Sequence, residues 1–170
     1  MFRELPKTPK VKVGSVRKAG KKDVKAIKNL YRNTILTVNK NDYSPEQLKY
    51  WCDKGKDVNV WEEQIGDQHF ILAERQGKVT GFAAITPEGY LHSLFVHKDL
   101  QQQGIASMLL ESIEKYARRN KIKQVITEVS ITARPFFEKK GYATLAEQSV
   151  YMGIDMTSYR MTKEIPGKEE

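Results

Sequence analysis

Apolar positions along this chain change period several times, and the sharpest change falls between Tyr90 and Tyr116. From Tyr90 to Val96 the pattern is that of a strand, with Tyr90, His92, Leu94 and Val96 on one face and Leu91, Ser93 and Phe95 on the other. After His97-Lys98-Asp99, the residues Ile105, Met108, Leu109, Ser112, Ile113 and Tyr116 recur at helical spacing. They predict an amphipathic helix of about four turns. Upstream, Val11 to Arg17 alternates as a first strand, and Val24, Ile27, Leu30 and Tyr31 have helical spacing behind Asp23, a suitable N-cap. Ser44-Pro45-Glu46-Gln47 opens a second helix with a capping box and a proline in its first turn, and Leu48, Trp51 and Cys52 form its inner face. Phe70 to Glu74, Gln76-Gly77 and Val79 to Ile85 read as a hairpin, and Pro87-Glu88-Gly89 turns the chain into the central strand.

Downstream, Gln124 to Val129 reads as a fifth strand, joined to the central one through the long helix as a parallel crossover. A short helix follows, with Ser130 or Thr132 able to cap it, Pro135 near its start and Gly141 at its end. Thr144 to Val150 and Met156 to Lys163 are the last two strands, separated by Gly153.

Composition narrows the class. A chain of 170 residues suits a single domain with one ordinary core. No apolar run approaches the roughly 20 residues of a membrane span, and MFRELPKTPK lacks the apolar centre of a signal peptide. A single cysteine, Cys52, fits a reducing compartment, so a cytoplasmic protein is expected. The three histidines and one cysteine show no metal-ligand spacing, so no metal is expected. His69 and His97 fall at strand ends or turns and are expected at the surface.

The net charge of +8 is local, because residues 1–28 hold ten basic and two acidic residues while the remainder holds 19 of each. Residues 1–10 read as a flexible basic arm and 11–165 as the domain. A solvated arm is the reading adopted, ahead of a nucleic-acid contact.

The turn between central strand and long helix carries the candidate chemistry. Gln101-Gln102-Gln103-Gly104-Ile105-Ala106 has the form Q-x-x-G-x-A. A glycine just inside a helix costs about 1 kcal/mol against alanine. Its absent side chain would let a phosphate reach the unpaired N–H groups of the first turn. No lysine follows as in a P-loop, and there is no G-x-G-x-x-G.

With its flanking V-H-K-D-L and S-M-L-L, this turn resembles the acetyl-CoA loop of the GNAT acyltransferase superfamily, [RQ]-x-x-G-x-[GA]. Ser130 to Tyr142, S-I-T-A-R-P-F-F-E-K-K-G-Y, resembles that superfamily's A-x-x-[FL]-Y-x-x-x-G-[FY], and with N-D-Y-S-P-E-Q-L-K-Y-W it resembles the YafP-like bacterial branch. The resemblance runs from about Val13 to Lys163. It implies an α/β (α+β) GNAT fold: a mixed, mostly antiparallel sheet of about seven strands with flanking helices, the fourth and fifth strands parallel. It also implies acetyl-CoA as co-substrate, a primary amine of a small molecule or peptide as acceptor, direct transfer, and a monomer or homodimer.

The cofactor residues it implies are Gln101, Gln102, Gln103, Gly104, Ile105, Ala106 and Ser107 at the phosphates. Leu94, Phe95 and Val96 fall along pantetheine, and Ser130 and Phe137 on the second motif. Tyr43, Tyr50, Trp51 and Trp61 are aromatic candidates for the acceptor cleft, with no specific role assigned.

Transfer needs a neutral amine, a stabilised oxyanion and a thiolate able to leave. L-H-S-L-F-V-H resembles the corresponding strand of arylalkylamine N-acetyltransferases, which makes His92 a candidate base beside Tyr90, the position of that family's first histidine. Glu128, late in the fifth strand, is the second candidate base. Many GNAT enzymes protonate the thiolate with a tyrosine where this chain has Phe137, and many carry asparagine where it has Ser130. Tyr90 or Tyr142 could replace the missing acid. A GNAT fold that binds acyl-CoA with little or no catalysis therefore stands as the alternative.

Overall fold

The computed structural model describes residues 12–151 and 153–167, so the expected arm at 1–10 and Val11 lie outside the described residues. Seven strands form one sheet in the order β1-β2-β3-β4-β5-β7-β6. They are β1 (Ser15–Lys18), β2 (His69–Arg75), β3 (Lys78–Ile85), β4 (Tyr90–Val96), β5 (Gln124–Ser130), β6 (Ala143–Tyr151) and β7 (Ile154–Glu164). Every neighbouring pair is antiparallel except β4 and β5, as expected.

Five helices flank the sheet: α1 (Val24–Val38), α2 (Pro45–Lys54), α3 (Val58–Asp67), α4 (Ile105–Arg119) and α5 (Arg134–Lys139). Where composition predicts one core, the sheet divides the interior in two. Ile105, Leu109 and Ile113 of α4 pack on Ile85, Leu91 and Val125, whereas Ile27, Tyr31, Trp51 and Trp61 pack on Phe70, Leu72 and Phe82 of the opposite face.

The capping box holds as predicted. The Gln47 N–H donates to Ser44 Oγ at 3.2 Å, and the Ser44 N–H donates to Gln47 Oε1 at 2.8 Å. Asp23 departs from its expected role. It precedes α1 but its carboxylate points backwards, accepting from the Gly20 N–H at 2.8 Å and from both Arg17 Nη atoms at 2.8–2.9 Å. Helix α3 escaped sequence reading, although Asp57 caps it by accepting from the Asn59 N–H at 2.9 Å and Trp61 and Ile65 share its inner face; these local signals are short and do not hold it alone. Tertiary contacts anchor it: Trp61 Nε1 donates to the Gly55 carbonyl at 2.9 Å, and the indole packs edge-on against Tyr31 and Phe82.

Two features of β4 shape everything that follows. First, its pairing with β3 jumps from Ala84↔Ser93 to Ile85↔Leu91, leaving His92 as the extra residue of a β-bulge. The alternation expected along this strand is therefore corrected. Leu91, Leu94 and Val96 all belong to the α4 side, while Phe95 packs on the α1–α3 side. Tyr90 and His92 flank Leu91 and face away from α4.

Second, β4 pairs with β5 only through Tyr90↔Ile126 and Leu91↔Thr127. Thr127 Oγ1 donates to the Leu91 carbonyl at 2.9 Å and closes that apex. Beyond it β4 continues on β3 and β5 continues on β7, so the two strands part. The next residues in register, His92 and Glu128, stand on opposite sides of the opening.

Candidate functional site

The loop at the far end of β4 is held by its own side chains. Gln101 Nε2 donates to the carbonyls of Val96 (2.9 Å) and His97 (3.2 Å), and Arg75 Nη1 donates to Gln103 Oε1 at 3.0 Å. Gln102 and Gly104 both have left-handed backbones, with φ of 58° and 84°. Such alternation folds successive N–H groups into a concave anion site.

Gly104 is the N-cap of α4, one residue outside the helix rather than just inside it, and it makes no side-chain cap. Space does not require the glycine, because an added Cβ would sit 3.7 Å from Val13. The left-handed φ does. The first-turn amides of Ile105, Ala106 and Ser107 have no intrahelical carbonyl to bond, and the helix dipole places positive potential there. These residues fit a pyrophosphate.

The other residues expected at the cofactor fall into two sets. Leu94, Phe95 and Val96 lie on the part of β4 beyond the apex, whose edge toward β5 is free of strand pairing. Their side chains belong to the cores, so what they can offer a ligand is backbone. The Val96 carbonyl already accepts from Thr34 Oγ1 at 2.9 Å as well as from Gln101. Ser130 Oγ accepts from the Ala133 N–H at 3.1 Å and shapes the turn before α5, where Thr132 instead donates to Asp42.

Phe137 is buried against Tyr142 on the α4 side, with ring centroids 5.1 Å apart. The Tyr142 hydroxyl donates to Glu114 Oε1 at 3.1 Å, and Lys163 holds the same carboxylate at 3.0 Å. Burial and then Glu114 push the Tyr142 phenol well above its usual pKa. This tyrosine is committed beneath α4 and is not placed at the opening.

The opposite face of the opening gathers Tyr90, His92 and Glu128. The Tyr90 and His92 rings lie 5.8 Å apart. His92 keeps an exposed edge, yet the surrounding protein pushes its pKa below the usual value. Its Nδ1 lies 3.0 Å from Gln68 Nε2, a partner on the α3–β2 turn that sequence reading missed. As placed, the Gln68 amide N–H donates to Nδ1 and leaves the imidazole proton on Nε2. Base chemistry at Nε2 requires the amide turned over, so that its Oε1, otherwise unpartnered among the described residues, accepts from Nδ1–H.

Across the opening, Arg160 Nε donates to Glu128 Oε1 at 2.8 Å, and this pairing raises the Arg160 pKa further. Burial first, then the Glu128 carboxylate, raises the Tyr90 phenol; burial, Tyr90 and Glu128 in that order raise Tyr151. Tyr151 packs edge-on against Trp51 at 6.0 Å. Of the aromatic candidates, Tyr43, Trp51 and Trp61 are buried core residues and Tyr50 is half-buried. The Tyr43 hydroxyl accepts from the Ile131 N–H at 2.9 Å and donates to the Thr157 carbonyl at 2.8 Å.

Arg160 and Tyr151 also escaped sequence reading. Register Glu128↔Arg160 exists because β7, not β6, lies next to β5. His69 is half-buried rather than on the surface, stacked on Tyr116 at 3.9 Å. Among the described residues, no three His, Cys, Asp or Glu side chains cluster to hold a metal, and no helix is long and apolar enough to cross a membrane.

A splayed parallel strand pair with a glycine-started helix at its end is the arrangement that the GNAT resemblance implies, and sequence comparison agrees. The family profile described as Acetyltransferase (GNAT) domain matches residues 39–163, and the chain belongs to this family. It is similar to the uncharacterized N-acetyltransferase YafP of Escherichia coli (strain K12), 32% identical over 108 residues that cover 64% of this chain and 67% of YafP.

Solved structures share the fold. A GCN5-related N-acetyltransferase from Rhodopseudomonas palustris superposes with a TM-score of 0.86 at 24% identity, over 90% of this chain and 96% of that one. The PaiA N-acetyltransferase of Thermoplasma acidophilum, solved in complex with coenzyme A, gives 0.75 at 17% identity, over 88% and 98%.

Proposed function

We propose that this protein moves the acetyl group of acetyl-CoA directly to a primary amine of a small molecule or peptide. The observation that carries the reading is the opening between β4 and β5, with the free amides of α4 at one end and His92 and Glu128 at the other. Acetyl-CoA supplies a thioester whose phosphates match the first turn of α4 and whose pantetheine can add to the unpaired edge of β4 as an extra strand. His92, held neutral near pH 7 by its lowered pKa and oriented by Gln68, takes the amine proton. The amine nitrogen bonds to the acyl carbon as the carbon–sulfur bond breaks, and the thiolate leaves. A thiol pKa near 8.5 makes it a fair leaving group even without a tyrosine at position 137.

One observation favours a second reading. Phe137 is buried and has no proton to give, and Tyr142 is tied to Glu114. A fold that binds acyl-CoA with little catalysis answers to that description. Release of CoA thiol on mixing protein, acetyl-CoA and a panel of amines separates the two. Turnover with intersecting initial-velocity lines is the expected result. Tight acetyl-CoA binding with no thiol release from any amine selects the binding module.

A further inference from the structure

Glu128 is the first residue of β5 beyond the apex, and it faces the same side of the sheet as Tyr90. Its side chain is only 10% exposed. One oxygen, Oε1, is fixed by Arg160, while Oε2 is buried and has no hydrogen-bond partner among the described residues. A second buried polar atom on this face, Ser158 Oγ, is likewise unpartnered, and Ser158 follows two residues before Arg160 on β7. A buried carboxylate oxygen left without a donor is costly unless something supplies one.

The phenols of Tyr90 and Tyr151 lie within electrostatic reach of this carboxylate, and Trp51 packs behind Tyr151. Phenols raised by burial stay neutral, so they offer oxygen lone pairs and ring faces but no competing charge. Arg160 is half exposed and reaches Glu128 from the rim, leaving the inner oxygen buried and unpartnered among the described residues.

We infer that Glu128 Oε2 is the anchor for the ammonium group of the acceptor, so that this site selects amines that are cationic at neutral pH. The inference rests on the transferase reading for the word acceptor, and it divides the labour between two residues. Glu128 holds the incoming cation on one side of the opening, and His92 on the other side takes the proton. Glu128 is then a specificity residue rather than the base. A carboxylate with one oxygen held by Arg160 can still accept a charge-assisted hydrogen bond from a second cation at its other oxygen.

The test is direct binding, independent of turnover. The CoA-saturated protein is titrated calorimetrically at pH 7 with 2-phenylethylammonium, spermidine and glycinamide as probe cations. The parent protein is expected to bind at least one of them. Glu128→Gln should weaken every such probe at least tenfold while leaving the Kd for CoA within twofold. Arg160→Gln removes the competing guanidinium and should tighten the same probes, an effect that a merely structural pair would not produce. In steady state, Glu128→Gln should raise KM for a cationic acceptor by more than it lowers kcat.

Equal affinity in Glu128→Gln and parent, or a parent that binds none of the three cations, overturns the assignment. So does a kcat lowered a hundredfold or more in Glu128→Gln with probe affinity unchanged, which makes Glu128 the base. Loss of cation affinity in Glu128→Gln from a protein that acetylates no amine at all upholds the anchor and removes the transferase reading instead.

Discussion

His92 owes its place to one extra residue in β4. The bulge breaks the alternation that would otherwise set Tyr90, His92 and Leu94 on one face, and sends Leu94 into the α4 core. Only Gln68 touches the His92 ring nitrogen among the described residues, which makes their coupling testable. His92→Ala should lower kcat/KM by about 10²–10⁴. It should leave acetyl-CoA affinity nearly intact and remove the acid limb of the pH–rate profile. Because burial lowers the His92 pKa, that limb lies below pH 6.5 in the parent. Gln68→Leu should shift the limb and lower kcat without changing the Kd for acetyl-CoA. A profile unchanged in both variants gives the proton to another group. The histidine itself was legible in the sequence, but Gln68 was not, because the pair spans 24 residues and two elements.

At the scale of elements, α4 and the loop before it form the most legible piece of the chain. The Q-x-x-G-x-A spacing and the helical period locate both, and the structure moves the glycine only from the first turn to the N-cap. That shift changes the physical reason. A side chain at Gly104 meets little more than Val13, but the left-handed backbone opposes it by about 1–2 kcal/mol. Gly104→Val should therefore disturb the loop as well as crowd the amides. Calorimetry should show acetyl-CoA binding weakened severely, with Gly104→Ala intermediate. Parent-like affinity in Gly104→Val would move the phosphate site elsewhere. Helix α3 is the opposite case. Its apolar stripe is short, Trp61 and Ile65, and it is anchored where Trp61 finds Tyr31, Phe82 and the Gly55 carbonyl.

For the whole molecule, the layers meet at a half-buried ion cluster. Arg17 of β1 reaches Asp23 at the start of α1 and Glu74 of β2, at 2.8 and 2.7 Å. Arg17 is the largest influence holding both carboxyls below their ordinary values. Such depressed groups contribute stability that is fully present above their unfolded pKa values, near pH 4, and lost as pH falls through the folded ones. Asp23→Asn should cost about 1–3 kcal/mol at pH 7. In denaturant melts, the difference from the parent should shrink steadily from pH 5 toward pH 2. A difference independent of pH would mean that packing of the residue, rather than its charge, secures the layers.

Sequence alone determined the elements whose stabilising signals are local. Periodicity placed six strands to within two residues and set the first too early, at Val11 to Arg17 against Ser15–Lys18, while the capping box placed α2 and the loop motif placed the start of α4 and the family. Those signals lie within a few residues of one another, so they can be read along the chain. Tertiary structure alone decided the arrangement around the opening between β4 and β5. The bulge at His92 depends on how β3 meets β4, and the Glu128–Arg160 pair depends on β7 lying inside β6. The Tyr90–Tyr151–Glu128 grouping joins three strands. Each is set by which strand edges meet in space, a choice made by packing energy summed over the whole sheet and carried by no single stretch of residues.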